Sequence, residues 1–245
     1  MSRVETWRLI TTWGADPAFN MGLDEALLAS RDAAPTLRFY SWKPDTLSLG
    51  YFQKLADVPG HEKAGAIVRR ITGGGAIHHV DELTFSISAS ASHPLYAGPI
   101  GPSYARVHAA ISEALSHFGV EAAPRGARTL ASDVATTGMC FHHSTDLDLV
   151  WGERKGVGSA QRRTRGRVLH HGSIKLGTSV LEGSIATIRE HTPKVTVLDV
   201  AGVLRESFAR AFDARFQAAV PDERERTQAR ELGKRYVDRA FVESR

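Results

Sequence analysis

The stretch RRITGGGAIHHVDELTFS, residues 69–86, decides how the chain is read. An apolar run at residues 65–68 enters it, two arginines follow, and Gly73, Gly74 and Gly75 break the pattern. The alternation Leu83, Phe85, Ile87 then resumes a strand period. The pattern predicts strand, glycine loop, strand. Three glycines in a row add nothing to a core and weaken any regular element, so they belong where backbone turns sharply or lies against a ligand. Arg69 or Arg70 at the entrance is placed to hold an anion. The alternative is an unpatterned surface turn; against it, His78, His79, Asp81 and Glu82 crowd within a few residues of the glycines.

Outward from the loop, the N-terminal side reads as a strand over residues 6–12, then a helix announced by Asp16 and Pro17 and running to Ala29, with Asn20, Asp24 and Glu25 on its more polar side. LRFYSW (37–42) and TLSLGY (46–51) read as strands around the turn Lys43, Pro44, Asp45. On the C-terminal side, residues 99–102 break the chain before a helix over 103–118. Residues 125–138 are small, polar and unpatterned and read as a mobile loop leading to Met139 and Cys140. A short strand over 147–150 precedes KGVGSAQRRTRGRVLHHGSIKL (155–176), which reads as two strands joined at residues 163–166. From Val197 the pattern turns helical, and residues 222–241 are charged enough to read as a solvated terminal helix.

With 245 residues and 42% hydrophobic content the chain supports one sizeable core, and no repeat or linker divides it. No apolar run is long enough to span a membrane, and the N-terminus lacks a signal-peptide pattern, so a cytoplasmic protein is expected. The net charge of +4 is gathered partly at Arg162, Arg163, Arg165 and Arg167, which suits an acidic partner or is a solvated basic loop. One cysteine, Cys140, excludes an internal disulfide and a multi-cysteine metal site.

A lone cysteine is either a small buried hydrophobe or a nucleophile activated by a neighbouring cation or base. His142 and His143 follow Cys140 closely and Lys155 comes fifteen residues later. Three adjacent histidine pairs (78–79, 142–143, 170–171) invite a metal, but neighbours on a strand face opposite ways and no HExxH spacing is present, so none is assigned. GGGAIHH lacks the GK[ST] ending of a Walker loop and is not GxGxxG.

Taken in order, WRLITTWGADPAFNMGLDEALL, LRFYSWKPDTLSLGYFQ, RRITGGGAIHHVDELTFS and KGVGSAQRRTRGRVLHHGSIKL resemble the biotin and lipoate protein ligase superfamily. Within it the chain is most similar to the ligase-like bacterial octanoyltransferases of lipoate assembly, which carry a cysteine shortly before K-x-x-G-S-A. The resemblance implies a mixed α/β (α+β) fold, mixed β-sheets flanked by helices, in a single catalytic domain over 1–245. It implies residues 197–245 as a helical segment of that domain, with no accessory C-terminal domain.

By resemblance Cys140 and Lys155 are catalytic. Arg70, Gly73, Gly74 and Gly75 line the acyl pocket with His79 near its mouth. Gly158, Ser159 and Ala160 form the facing wall, and His171 with Gly172 the strand beside it. The family commonly reads His-Asp where this chain has His79-Val80, which leaves the role of the loop acid open. The implied reaction moves an octanoyl group from octanoyl-acyl carrier protein through a cysteine thioester to a lysine of a lipoyl domain or glycine cleavage H protein, with no cofactor, no metal and no nucleic acid. A lipoate-protein ligase using ATP and Mg would share most of these motifs but has no use for the cysteine. The same motifs suit a transferase that takes the group from H protein. They also suit a non-catalytic lipoyl-domain-binding protein, against which the presence of both Cys140 and Lys155 argues.

Overall fold

The computed structural model describes residues 4–30 and 33–245; Met1–Arg3, the start of the stretch searched for a signal peptide, lie outside the described residues. The elements are β1 (Glu5–Ala15), α1 (Pro17–Ala29), β2 (Thr36–Trp42), β3 (Thr46–Leu49), β4 (Ala66–Arg69), β5 (Ile77–His79), β6 (Glu82–Ser90) and α2 (Ile100–Ser116). They continue with β7 (Ala123–Pro124), β8 (Leu149–Trp151), β9 (Arg154–Thr164), β10 (Arg167–Lys175), α3 (Val197–Ala211), β11 (Ala214–Ala219), α4 (Glu223–Val237) and α5 (Arg239–Val242). A large mixed sheet has the order β11-β1-β2-β6-β10-β9-β8-β7, and a small sheet has the order β4-β3-β5.

The two faces of the large sheet have opposite chemistry because side chains alternate along each strand. Leu37, Phe39, Phe85, Ile87 and Val168 point to the face covered by α2 and α3, where they pack with Ile111, Leu204 and Phe208 in the main core. Arg38, Ser86 and His171 stand in register on β2, β6 and β10 and face the other way, toward α1. That second, polar face carries the site.

Local signals fix α1 and the β9–β10 hairpin. Asp16 caps α1 by accepting from Phe19 N–H at 3.0 Å, and Pro17 occupies the first turn, where its missing donor costs nothing. Arg165 and Gly166 both have positive φ (49° and 77°), the two-residue turn whose twist matches an antiparallel hairpin. The hairpin register sets Gly158 opposite Ser173 and Ala160 opposite His171.

Three expectations change. The C-terminal segment is not all helix, because β11 adds to the sheet edge parallel to β1. The charged final helix is not merely solvated: in α4 Ala229, Gly233 and Tyr236 are buried, Ala229 packs with Leu23 and Leu27, and the charges lie on the outer side. Small residues hide this contact from a hydrophobicity pattern. The glycine loop returns through β5, which pairs antiparallel with β3 before β6 begins.

Candidate active site

Cys140 opens a short helical turn that lies against the end of the glycine loop. Its N–H donates to Ala76 O at 2.7 Å, and Ala76 N–H donates to Gly138 O at 2.8 Å, so the two segments are zipped together. A Cβ at position 75 would sit 2.8 Å from Gly138 O and 2.9 Å from Cys140 N, closer than real Cβ contacts allow, so the zip requires glycine there. Gly138 also binds Asp57 O and Gln53 Nε2, so the end of the loop read as mobile is tied down.

Lys155, at the start of β9, is 1% exposed. Its Nζ donates to Cys140 O at 2.9 Å, to Cys140 Sγ at 3.3 Å and to Asp148 Oδ2 at 2.9 Å. Burial would push this ammonium down; the Cys140 sulfur and the Asp148 carboxylate outweigh burial and hold it above the ordinary lysine value. It stays a cation beside the sulfur.

Next to Cys140 lies a cleft that encloses about 460 Å³ of empty space, part of it open to solvent. Arg70, Gly73, Gly74, His79, Gly158, Ser159, Ala160, His171 and Gly172 all line it, together with Cys140. Met21, Tyr40, Trp42 and Ile77, which the sequence did not single out, give it much of its apolar surface. Gly75 and Lys155 stand behind Cys140 rather than in the wall. Ser159 contributes to the wall but turns its hydroxyl toward α2, 2.7 Å from His108 Nε2 and 2.9 Å from His170 Nε2.

Arg70 braces the loop from inside. Its guanidinium reaches Thr72 Oγ1, Ser48 O, Gly73 O at 2.9 Å and Gly75 O at 2.7 Å, which fixes the carbonyls of the loop. Burial pulls its pKa down despite the nearby Cys140 sulfur. Arg69 is not an anion holder, since its donors end on the carbonyls of Gly50, Tyr51, Gln53, Phe241 and Val242 and tie the C-terminus to the small sheet. Among the described residues, no hydrogen bond within the protein uses the N–H of Gly73, Gly74 or Gly75.

Arg70 also joins a buried polar network through Thr72 and Ser48. His171 reaches Thr72 Oγ1 at 2.7 Å and Asp24 Oδ2 at 3.3 Å. Asp24 in turn takes Arg38 Nη1 at 2.8 Å, Ser86 Oγ at 2.8 Å and Tyr40 Oη at 3.0 Å. Burial favours the neutral acid, but His171, Arg38 and Ser86 together leave Asp24 below the ordinary carboxylate value. His79 stacks on Trp42 with ring centroids 4.2 Å apart and joins Glu82 at 2.5 Å and Ser48 at 2.8 Å. Burial keeps His79 below the usual histidine value. The loop acid is thus Glu82, three residues past His79, while Asp81 pairs with Arg189 outside.

His142 and His143 do not serve the sulfur: His142 joins Thr137 Oγ1 and Glu182 O, and His143 joins Thr137 O. Asp148, Asp24, Thr72 and Glu82 are the groups that sequence reasoning missed or left without a role. Helical spacing marks Asp24 only as part of a polar side, and nothing in the spacing marks Asp148. Of the basic cluster, Arg163 and Arg167 are spent on internal acceptors, whereas Arg162 and Arg165 are exposed without an ion pair among the described residues. They border a groove of about 950 Å³ with Arg235. The described residues contain no cluster of three or more metal-ligating side chains. No helix is long and apolar enough to cross a membrane.

A cysteine held against a buried ammonium stands at the wall of a cavity in a mixed sheet flanked by helices, the frame of a catalytic domain with one candidate nucleophile. Residues 16–194 match the lipoyl protein ligase A/B catalytic domain, and the chain belongs to that family. Octanoyltransferase LipM of Moorella thermoacetica is 44% identical over 179 residues, 70% of this chain and 66% of that protein. Octanoyltransferase LipM of Kyrpidia tusciae is 33% identical over 96% of this chain and 97% of its own length. Among solved structures, a lipoate-protein ligase A bound with ATP superposes with a TM-score of 0.75 at 25% identity over 95% of each chain. A bi-partite lipoate protein ligase from Thermoplasma acidophilum, studied with its E2 lipoyl domain, gives 0.77 at 21% identity over 98% of each chain, a likeness of fold.

Proposed function

We propose that this chain is a protein octanoyltransferase that carries the acyl group on Cys140. The observation that carries the reading is the 3.3 Å approach of Lys155 Nζ to Cys140 Sγ at the wall of the cavity. The thiolate, paired with the Lys155 ammonium, attacks the carbonyl of an octanoyl thioester on acyl carrier protein; the carrier leaves as its own thiolate and takes up a proton. A neutral lysine amine of a lipoyl domain or H protein then attacks the octanoyl-cysteine, loses a proton, and frees the Cys140 thiolate. A thioester donor is already activated, so no ATP and no metal enter the reaction.

The negative oxygen that forms in each step meets the unspent N–H of Gly74 at the cavity wall, whose peptide plane Arg70 holds through Gly73 O. The eight-carbon chain lies along Met21, Tyr40, Trp42 and Ile77, where each buried methylene contributes about 0.8 kcal/mol. Arg162 and Arg165 suit an acidic carrier or acceptor at the groove they border.

The test is intact-protein mass after mixing with octanoyl-acyl carrier protein without ATP, alongside Cys140→Ala. A hydroxylamine-labile octanoyl adduct on the unmodified chain alone supports the reading. Acceptor modification that needs ATP with free octanoate or lipoate, and proceeds without an adduct, replaces it with a ligase.

A further inference from the structure

We infer that Asp148 is a positioning residue of this reaction, acting on Cys140 through Lys155. The inference rests on the reading of Cys140 as nucleophile. It starts from the donors of an ammonium, which are three in number. Lys155 Nζ has Cys140 O at 2.9 Å, Asp148 Oδ2 at 2.9 Å and Cys140 Sγ at 3.3 Å, with His143 O at the longer distance of 3.4 Å. With one proton on the Cys140 carbonyl and one on the carboxylate, the third is aimed at sulfur.

Asp148 is itself fixed before it meets the lysine. It lies just ahead of β8, 4% exposed, and its Oδ2 accepts Thr145 N–H at 2.7 Å and Thr145 Oγ1 at 3.2 Å. Lys155 is anchored at the other end by its backbone, whose N–H donates to Ser132 Oγ at 3.1 Å and whose carbonyl accepts Ala186 N–H at 3.0 Å. Asp148 is the one carboxylate that pairs with this lysine among the described residues. Without it the charge in the pocket has no permanent counterion while the sulfur is acylated and neutral, the state in which the second half of the reaction begins. The carboxylate therefore keeps Lys155 charged and oriented through both halves, so the same N–H is in place when the thiolate leaves again.

The chain has one cysteine, so its alkylation by iodoacetamide, followed by intact mass at fixed neutral pH, reports on this sulfur alone. In Asp148→Asn the rate constant at Cys140 falls about tenfold or more relative to the unmodified chain. In a Lys155→Met background the same substitution has no further effect, because its route to the sulfur is gone. Thr145→Ala, which removes the hydroxyl but keeps the backbone donor, slows alkylation in the same direction by about twofold and decides the matter should Asp148→Asn fail to fold.

A carboxylate that merely braces the loop gives the opposite sign, since loosening the loop exposes the sulfur and speeds alkylation. A faster or unchanged rate overturns the inference, as does an undiminished effect in the Lys155→Met background. Because iodoacetamide is not a substrate, slowed alkylation in a chain that transfers no octanoyl group sinks the proposed function and leaves Asp148 in place. The reverse pattern does the opposite.

Discussion

Two buried lysines flank the ring of Phe141, Lys155 with its Nζ 5.3 Å from the ring centroid and Lys175 at 4.9 Å. Both are desolvated, and both are nonetheless held above the ordinary lysine value by the anions around them. They differ in what those anions are. Lys175 has two carboxylates, Glu82 and Glu182, each at 2.7 Å, and its third donor goes to His78 O at 2.8 Å. Lys155 has one carboxylate, one carbonyl and a sulfur. A lysine closed on all sides by permanent acceptors holds a fold together. One that spends a donor on a group whose charge comes and goes belongs to chemistry.

The difference breaks most sharply when each lysine is replaced in turn by methionine, which keeps the stem and removes the charge. Lys155→Met lowers octanoyl transfer roughly 10²–10³-fold, the effect of losing one aimed donor, as read by steady-state turnover. Its melting temperature moves less than that of Lys175→Met, because Asp148 keeps the N–H and hydroxyl of Thr145. Lys175→Met removes the shared counterion of two buried carboxylates, Glu82 and Glu182, which keep only hydrogen bonds from His79, Thr84, Ser173, His78 N–H and Ser179, a loss of about 3–5 kcal/mol. Its melting temperature falls by about 10 °C, while turnover per folded molecule, measured well below the transition, stays within about threefold. A Lys175 variant that melts normally but cannot transfer would erase the distinction.

The pH dependence of stability separates the same groups. Both lysines have raised folded values, so their contribution is complete below the ordinary lysine value of 10.5 and is lost as pH climbs through the folded one. Glu82 is depressed by His79 and Lys175 against its burial, so its contribution is complete above the ordinary 4.5 and lost as pH falls. Buried His79, His108 and His170 are likewise held below the ordinary histidine value of 6.5, so the melting temperature declines above the ordinary lysine value and, on the acid side, already begins to fall as pH drops below 6.5. In Lys175→Met the alkaline decline is shallower than in the unmodified chain, whereas a slope unchanged by the substitution would mean that another group governs it.

Much of this is legible in the sequence, and the parts that are not share a cause. Asp16-Pro17 announces α1, and alternation announces β2, β6 and the β9–β10 hairpin, because caps, turns and strand periods are local. The four motifs in order point to the cavity, and nine of the residues named with Cys140 line it. What the sequence hides is long-range pairing. Asp24 meets His171 from 147 positions away and β11 finds β1 across the whole chain, while Asp148, only seven positions before Lys155, is hidden because its contact depends on how the β8–β9 turn folds back. His142 and His143 mislead for the same reason in reverse: they stand beside Cys140 in sequence, yet their rings turn toward Thr137 and Glu182.

The smallest expected effect is also the most local test of the Lys155 geometry. A Cβ built on Gly158 would stand 2.9 Å from Lys155 Cε, 3.1 Å from its Nζ and 3.6 Å from Cys140 Sγ. The two lysine atoms are the far end of a flexible chain, so Gly158→Ala is absorbed by a shift of a few tenths of an ångström and costs little stability. That shift swings the ammonium off the sulfur, since the lysine is the group that can give. Turnover then drops about three- to tenfold with a melting temperature within about 2 °C of the original, the cost of a mispositioned donor rather than a missing one. Equal turnover in Gly158→Ala would show that the 3.3 Å approach tolerates displacement, and with it the contrast between the two lysines would rest on charge alone.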